Sequence, residues 1–309
     1  MISKKSKIFV AGHSGLVGSA VLRRLKYKGY QNILTVDKNK VNLINQNKTF
    51  QFLKEKKPDF IIICAAKVGG IMANNIYKGE FIYENLQIQN NLINGAYKNG
   101  INKLIFLGSS CVYPKFCKQP IKEKYLLNGK LEKTNEPYAI AKIAGIKLCE
   151  SYNFQYKTNY KCLMPTNTFG PKDNYNEQTS HFIPALISKI HKLKKKKKKE
   201  LKIWGTGMAK REVIYVDDLA DACIFFMKKK TKETLINIGT GKDYTINQYA
   251  KKIMKILNIK ANILYDKSKP DGTPQKLLDN SLSKSYGWEP KISFEKGIKI
   301  AYQHYIKNV

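Results

Sequence analysis

Three glycines constrain the start of this fold more than anything else in the chain. Gly12, Gly15 and Gly18 form a GxxGxxG spacing directly after a short apolar run, residues 7–11. Directly after them comes a segment, 19–28, in which Ala20, Val21 and Leu25 recur at helical spacing. A strand that passes through a glycine turn into a helix is the context in which such a triplet binds a dinucleotide. Glycine permits positive φ in the turn, lets backbone N–H groups approach a pyrophosphate, and lets the helix pack closely on the sheet. The helix N-terminus then faces the anion. A glycine triplet alone is equally compatible with a tight turn; strand, loop and helix together favour the dinucleotide site.

The alternation continues. Residues 33–36 read as a strand, 47–56 as a helix, 60–64 as a buried strand, 80–98 as a long amphipathic helix and 104–107 as a further strand. Strands alternating with helices at these lengths predict an α/β fold, a doubly wound parallel sheet covered on both faces. After Pro165 the regularity fails. Pro171 and an Asn/Asp-rich stretch precede a helix over 184–192, which runs into the lysines 194–199. Residues 213–228 and 235–238 read as a helix and a strand returning to the sheet, and 247–308 is mixed and broken by Pro270, Pro274 and Pro290. The expected organisation is a dinucleotide-binding domain over 1–170, with 212–240 returning to it, and a smaller substrate-binding domain from 171–211 and 241–309.

Charge is the one compositional feature that suggests another class. Fifty-six Lys and Arg against 23 Asp and Glu give a net +33, which attracts phosphate-bearing ligands, nucleic acid or anionic membranes. Most of these lysines stand singly among Asn, Ile and Tyr. The 194–199 run lacks the interleaved aromatics of a base-stacking platform, and such charge density resists packing, so it reads as a solvated loop. No nucleic-acid partner is expected. Cysteines 64, 111, 117, 149, 162 and 223 form no CxxC pair, which suits a reduced compartment and no metal site. The first residues lead straight into a short strand, with neither a signal-peptide core nor a membrane span, so the expected location is the cytoplasm.

Two further groups carry chemistry. Asp37, 19 residues beyond Gly18, stands where a carboxylate accepts hydrogen bonds from an adenosine ribose, which favours NAD; Lys38 beside it is placed to pair with the 2′-phosphate of NADP. Tyr138 and Lys142 make a YxxxK spacing, one face of a helix. A phenol is a poor proton donor or acceptor near neutral pH unless a neighbouring cation tunes it. Ser109 or Ser110, ending a strand, can hydrogen-bond a carbonyl or hydroxyl.

The segments GHSGLVGSA (12–20), AAKVGGIMANN (65–75), GSSCVYPK (108–115), NEPYAIAKIAGIKLCESYN (135–153), MPTNTFGP (164–171) and KPDGTPQKLLD (269–279) resemble the GDP-L-fucose synthases, a family of extended short-chain dehydrogenases/reductases, in order over residues 7–305. The resemblance implies a Rossmann fold and conversion of GDP-4-keto-6-deoxy-D-mannose to GDP-L-fucose, by epimerisation at C3 and C5 and then reduction at C4. It implies a reductive triad of Ser109, Tyr138 and Lys142, and an epimerising pair with Cys111 as base and His181 as acid. The bland readings are a strand-end filler for Cys111 and a helix-capping or surface histidine for His181. Cys111 needs a polarising neighbour to act as a base, for which Lys67 and Lys115 are candidates.

The implied cofactor is NADP(H), with NAD(H) left open by Asp37. Its contacts would come from Gly12, His13, Ser14, Gly15, Leu16, Val17, Gly18, Asp37, Lys38, Leu107, Gly108, Ser109, Ser110, Lys142, Pro165, Thr166, Asn167, Thr168 and His181. The GDP-sugar would meet Lys189, Trp204, Arg211 and Asp271, although Trp204 also reads as core. The family more often carries Arg at position 189, and often Arg where this chain has Ser14. Relatives pair through long helices, which predicts a homodimer through 80–98 and 138–154. The competing readings are a reductase or 4-epimerase of another nucleotide sugar, which leaves Cys111 and His181 without a task, and a basic nucleic-acid binder. A dehydratase would show Asp-Glu where this chain has Cys111-Val112.

Overall fold

The structure is a computed structural model and describes residues 2–308. β1 (Ile8–Ala11) is buried along its whole length and leads through the glycine turn into α1 (Leu16–Tyr27). β2 (Ile33–Leu34), α2 (Gln46–Lys56), β3 (Phe60–Ile63), the short α3 (Ile71–Ile76), α4 (Lys78–Lys98), β4 (Lys103–Leu107), α5 (Glu136–Tyr156) and β5 (Asn159–Pro165) continue the alternation. With β9 (Leu235–Ile238) these strands form an all-parallel sheet in the order β2-β1-β3-β4-β5-β9. Side chains of period two divide the core. Ile8, Val10, Ile62 and Ile105 face one layer, and Phe9, Ala11, Ile61 and Phe106 face the other. Both faces are therefore covered, as the continuous apolar strands require.

The order reverses between β1 and β3, where open α/β sheets bind ligands beyond the carboxyl ends of their strands. The remaining elements overhang that edge. β6 (Asn167–Phe169), α6 (Phe182–Lys196), β7 (Glu200–Trp204) and β8 (Lys210–Tyr215) precede α7 (Val216–Lys228), which packs against α1. After β9 come β10 (Asp243–Thr245), α8 (Ile246–Ile256), β11 (Asn262–Asp266), β12 (Gln275–Lys276), α9 (Ser281–Ser285) and α10 (Phe294–Asn308). β8 is the hub of a small sheet, flanked by β10, β12 and β6, and β11 pairs with β7.

Several boundaries differ from the sequence reading. The helix expected over 213–228 begins at Val216, because Val213–Tyr215 end β8 and pair with β6. β2 pairs over two residues instead of the four expected, leaving Asp37 beyond its ladder. The lysine run is not wholly a loop: α6 continues through Lys196, anchored by buried Leu193. Cations in a last helical turn face unsatisfied carbonyls, so these lysines are tolerated there.

Candidate functional site

A cleft of about 820 Å³ opens between the carboxyl edge of the main sheet and the β8 sheet. Its floor is the glycine loop. Gly12 has φ of 81°, and a Cβ there would stand 2.6 Å from the Ala65 nitrogen; a Cβ on Gly18 would stand 2.0 Å from the Gly12 carbonyl oxygen. Both are glycine because backbone fills the space. Gly15 is different: an added Cβ would meet only the Gly12 oxygen, at an ordinary 3.7 Å, and the residue caps α1 without a side-chain bond. The N–H groups of that first turn are thus open to an anion. The Nδ1 atom of His13 is buried and unpartnered in the same loop. This cradle suits a dinucleotide pyrophosphate.

Of the cofactor residues read from the sequence, all line the cleft except Asp37. Its exposed carboxylate lies 3.4 Å from His13 Nε2, while Lys38 faces the cleft.

At the end of β4, Gly108 makes room for Met164, whose Cε would stand 2.0 Å from an added Cβ. The chain then turns into a short 3-10 segment that begins at Ser110, and the Ser109 hydroxyl accepts the Cys111 N–H at 3.2 Å. α5 opens with Pro137 in its first turn and presents Tyr138 and Lys142 one turn apart. The Lys142 ammonium is buried, donates to the Leu107 carbonyl at 2.8 Å and sits 4.6 Å from the Phe106 ring centre. Burial pulls its pKa down to about 8. Burial, reinforced by Cys111, pushes the Tyr138 phenol up, against hydrogen bonding from Ser109. Tyr138 is therefore the neutral phenol, a proton donor, when the cleft holds no positive ligand.

Cys111 has a polarising neighbour, but neither of those expected. Lys67 is ion-paired to Glu80 and Glu84, and Lys115 to Glu132. The Lys276 ammonium of β12 instead donates to the Cys111 sulfur at 3.3 Å, and Asn135 Nδ2 lies 3.4 Å from the same atom. Burial alone would raise the thiol pKa; Lys276, with Ser109 and Arg211, outweighs it and leaves Cys111 below its ordinary value. His181 stands at the N-cap of α6 yet makes no capping bond. Its ring is reachable by water from the cleft but walled by protein, and burial together with Lys276 lowers its pKa. Lys276 and Asn135 escaped the sequence reading. Both lie inside recognised motifs, but 165 residues separate Lys276 from the sulfur it touches.

At the far end, Trp204 lies between two cations, Lys189 at 5.5 Å and Lys269 at 5.8 Å from its ring. It is half-buried and lines the cleft, so it is not a core tryptophan. Arg211 is held by its own side chain donating to the carbonyls of Lys210 and Asp271, at 2.8 and 2.9 Å. The Asp271 carboxylate is taken by the N–H and hydroxyl of Thr206. Asp271 thus fixes Arg211 through its main chain.

The model of the NAD dependent epimerase/dehydratase family matches residues 8–239. GDP-L-fucose synthase 1 of Arabidopsis thaliana is 47% identical over all of this chain and 96% of its own length. The GDP-L-fucose synthase of Escherichia coli is 46% identical, with 98% of each chain covered. This chain belongs to the GDP-L-fucose synthase family, within the epimerase/dehydratase family. Among solved structures, the GDP-mannoheptose C4 reductase of Campylobacter jejuni with NADP bound superposes with a TM-score of 0.91 at 38% identity, covering 99% of this chain and 100% of that one. Membership in this family agrees with the α/β fold.

Proposed function

We propose that this chain converts GDP-4-keto-6-deoxy-D-mannose to GDP-L-fucose, inverting C3 and C5 and then reducing the C4 ketone with NADPH. The observation that carries this reading is the convergence in one cleft of Ser109, Tyr138 and Lys142 with Cys111 and His181, the latter two sharing the field of Lys276. A reductase alone has no use for an acidified thiol.

Protons on C3 and C5 are acidic because each carbon adjoins the C4 carbonyl. Cys111, held toward its thiolate by Lys276, removes them, while Ser109 and Tyr138 hydrogen-bond the C4 oxygen as it gains charge. His181 returns a proton from the opposite face. Burial and the Lys276 ammonium both disfavour its charged form. When bound, the nicotinamide cofactor supplies the hydride to C4. Tyr138 then gives its proton to the oxygen, with Lys142 holding the cofactor side of the site.

Lys38 lines the cleft and Asp37 turns to His13, which supports NADP(H) over NAD(H). Replacing Lys38 by Glu should raise KM for NADPH by about 10- to 100-fold, the range of a lost charge-assisted contact. KM for NADH should stay within about twofold of wild type, given the absence of a 2′-phosphate. Equal changes for both cofactors would remove Lys38 from this role. Lys189 and Arg211 are assigned to the diphosphate and Trp204 to a stacking face. Among the described residues no helix is long and apolar enough to cross a membrane. A cytoplasmic homodimer through α4 and α5 is the assembly we assign, supported by exposed Tyr83, Ile140 and Phe154 on those helices.

Incubation with GDP-4-keto-6-deoxy-D-mannose and either NADPH or NADH, with the product identified by NMR, tests the reading. GDP-L-fucose forming faster with NADPH is the expected result. A reduced product that keeps the configuration at C3 and C5 overturns it.

A further inference from the structure

One buried carboxylate lies just behind the site and has no assigned task. Successive residues of β8 point to opposite sides. Arg211 lines the cleft, and Glu212 is fully buried behind it. Among the described residues no cation pairs with Glu212. A buried charge without a cation is costly unless it is hydrogen-bonded, and Glu212 is bonded on both oxygens. Oε1 accepts the backbone N–H groups of Thr240 and of Gly241, the latter at 2.7 Å, and Oε2 accepts that of Leu278 at 2.9 Å. Its main-chain carbonyl also accepts from Thr166 Oγ1 and Asn167 Nδ2, at 2.9 and 3.1 Å. Gly239 leaves the carboxylate its space: a Cβ there would stand 2.3 Å from Oε1.

Leu278 matters because Lys276 lies two residues before it. Residues 275–279 form a strap beside the site, with Lys276 lining the cleft and Leu278 buried. β12 runs along β8 in parallel register, Gln275 opposite Lys210 and Lys276 opposite Arg211. On its other side the strap is tied to the segment that follows Cys111: the Leu277 N–H donates to Gln119 Oε1 at 2.9 Å, the Ile121 N–H to the Leu277 carbonyl at 2.7 Å, and the Asp279 N–H to the Ile121 carbonyl at 2.8 Å. The strap ends up delivering one ammonium to one sulfur, 3.3 Å away.

We propose that Glu212 is a positioning residue for Cys111. By tying Leu278 to the Thr240–Gly241 turn, it holds the strap in register and keeps the Lys276 ammonium on the thiol. The inference rests on the reading of Cys111 as the epimerising base. An isosteric amide cannot replace the carboxylate, because its NH2 would face an N–H on one side or the other. Coulombic support for a thiolate falls with distance, so release of the strap reaches Cys111 as weaker acidity.

The test is the pH profile of Cys111 alkylation by iodoacetamide in the full-length protein, read at the Cys111 peptide by mass spectrometry. Glu212→Gln should slow alkylation about tenfold at a fixed pH below the thiol pKa, equivalent to about one unit of pKa. Lys276→Met should do the same, and the double variant should be no slower than Lys276→Met alone. Gln119→Ala, which removes one of the three bonds on the other side of the strap, is the second route if Glu212→Gln folds poorly, and should shift the profile in the same direction. An unchanged profile in whichever of these variants is folded overturns the proposal, as does an additive effect in the double variant. Alkylation needs no substrate, so the outcome is separable: if the profile shifts but Cys111→Ser still epimerises, the base assignment fails and the positioning role stands.

Discussion

Cys111→Ser is expected to lower solvent-deuterium incorporation at C3 and C5 of the keto sugar by about 10²- to 10⁴-fold, the range for loss of a general base, while NADPH affinity stays within about twofold. The reason is acidity. Lys276 lies 3.3 Å from the sulfur and, with Ser109 and Arg211, overcomes the burial that would otherwise keep the thiol protonated. A serine hydroxyl in the same place has no comparable anion. NMR of the sugar in deuterated buffer checks the result without NADPH, so reduction cannot mask it. Exchange within about threefold of wild type would remove Cys111 from the mechanism whatever the product.

Tyr138→Phe should divide the two activities. Reduction at C4 should fall by about 10²- to 10⁴-fold through loss of the proton donor, and deuterium exchange at C3 and C5 should fall at least tenfold less, since Cys111 and His181 remain. The phenol is held protonated by burial, against hydrogen bonding from Ser109. The cation below it is the group that titrates in the working range. Burial lowers Lys142 to about 8, so its charge is present below that pH and lost above it. Reduction by the wild type should therefore decline as pH rises through about 8. Burial also lowers the folded-state pKa of Lys142 below its unfolded value, so burying the ammonium weakens the fold at lower pH and the penalty is relieved between about 8 and the ordinary lysine range. A decline in reduction is thus not attributable to Lys142-driven unfolding. Equal losses of exchange and reduction in Tyr138→Phe would contradict the assignment.

Much of this site is legible in the chain because its parts are local. Gly12 and Gly18 sit where backbone leaves no room for a Cβ, and Tyr138 and Lys142 are one helical turn apart. Spacing alone brings such residues together. What local pattern does not carry is contact across the fold. Lys115, in the same motif as Cys111, is engaged with Glu132, and Lys67, from an earlier motif, with Glu80 and Glu84, whereas Lys276 arrives on a strap from the other sheet. Asp37 illustrates the same limit, since its turn toward His13 depends on a strand that ends two residues early. Residues 213–215 read as the start of a helix running to 228, since a short apolar run does not by itself distinguish a strand from a buried helical turn. Pairing with β6 decides otherwise.

Isotopic labelling of a single product shows whether one cleft both inverts two carbons and reduces a third. The protein is incubated with GDP-4-keto-6-deoxy-D-mannose twice, once with NADPH in deuterated water and once with nicotinamide-4-deuterated NADPH in ordinary water. The expected product is GDP-L-fucose carrying solvent deuterium at C3 and C5 in the first case, and cofactor deuterium at C4 alone in the second. Cofactor deuterium at C4 with no solvent label at C3 or C5 would contradict the account and leave a reductase.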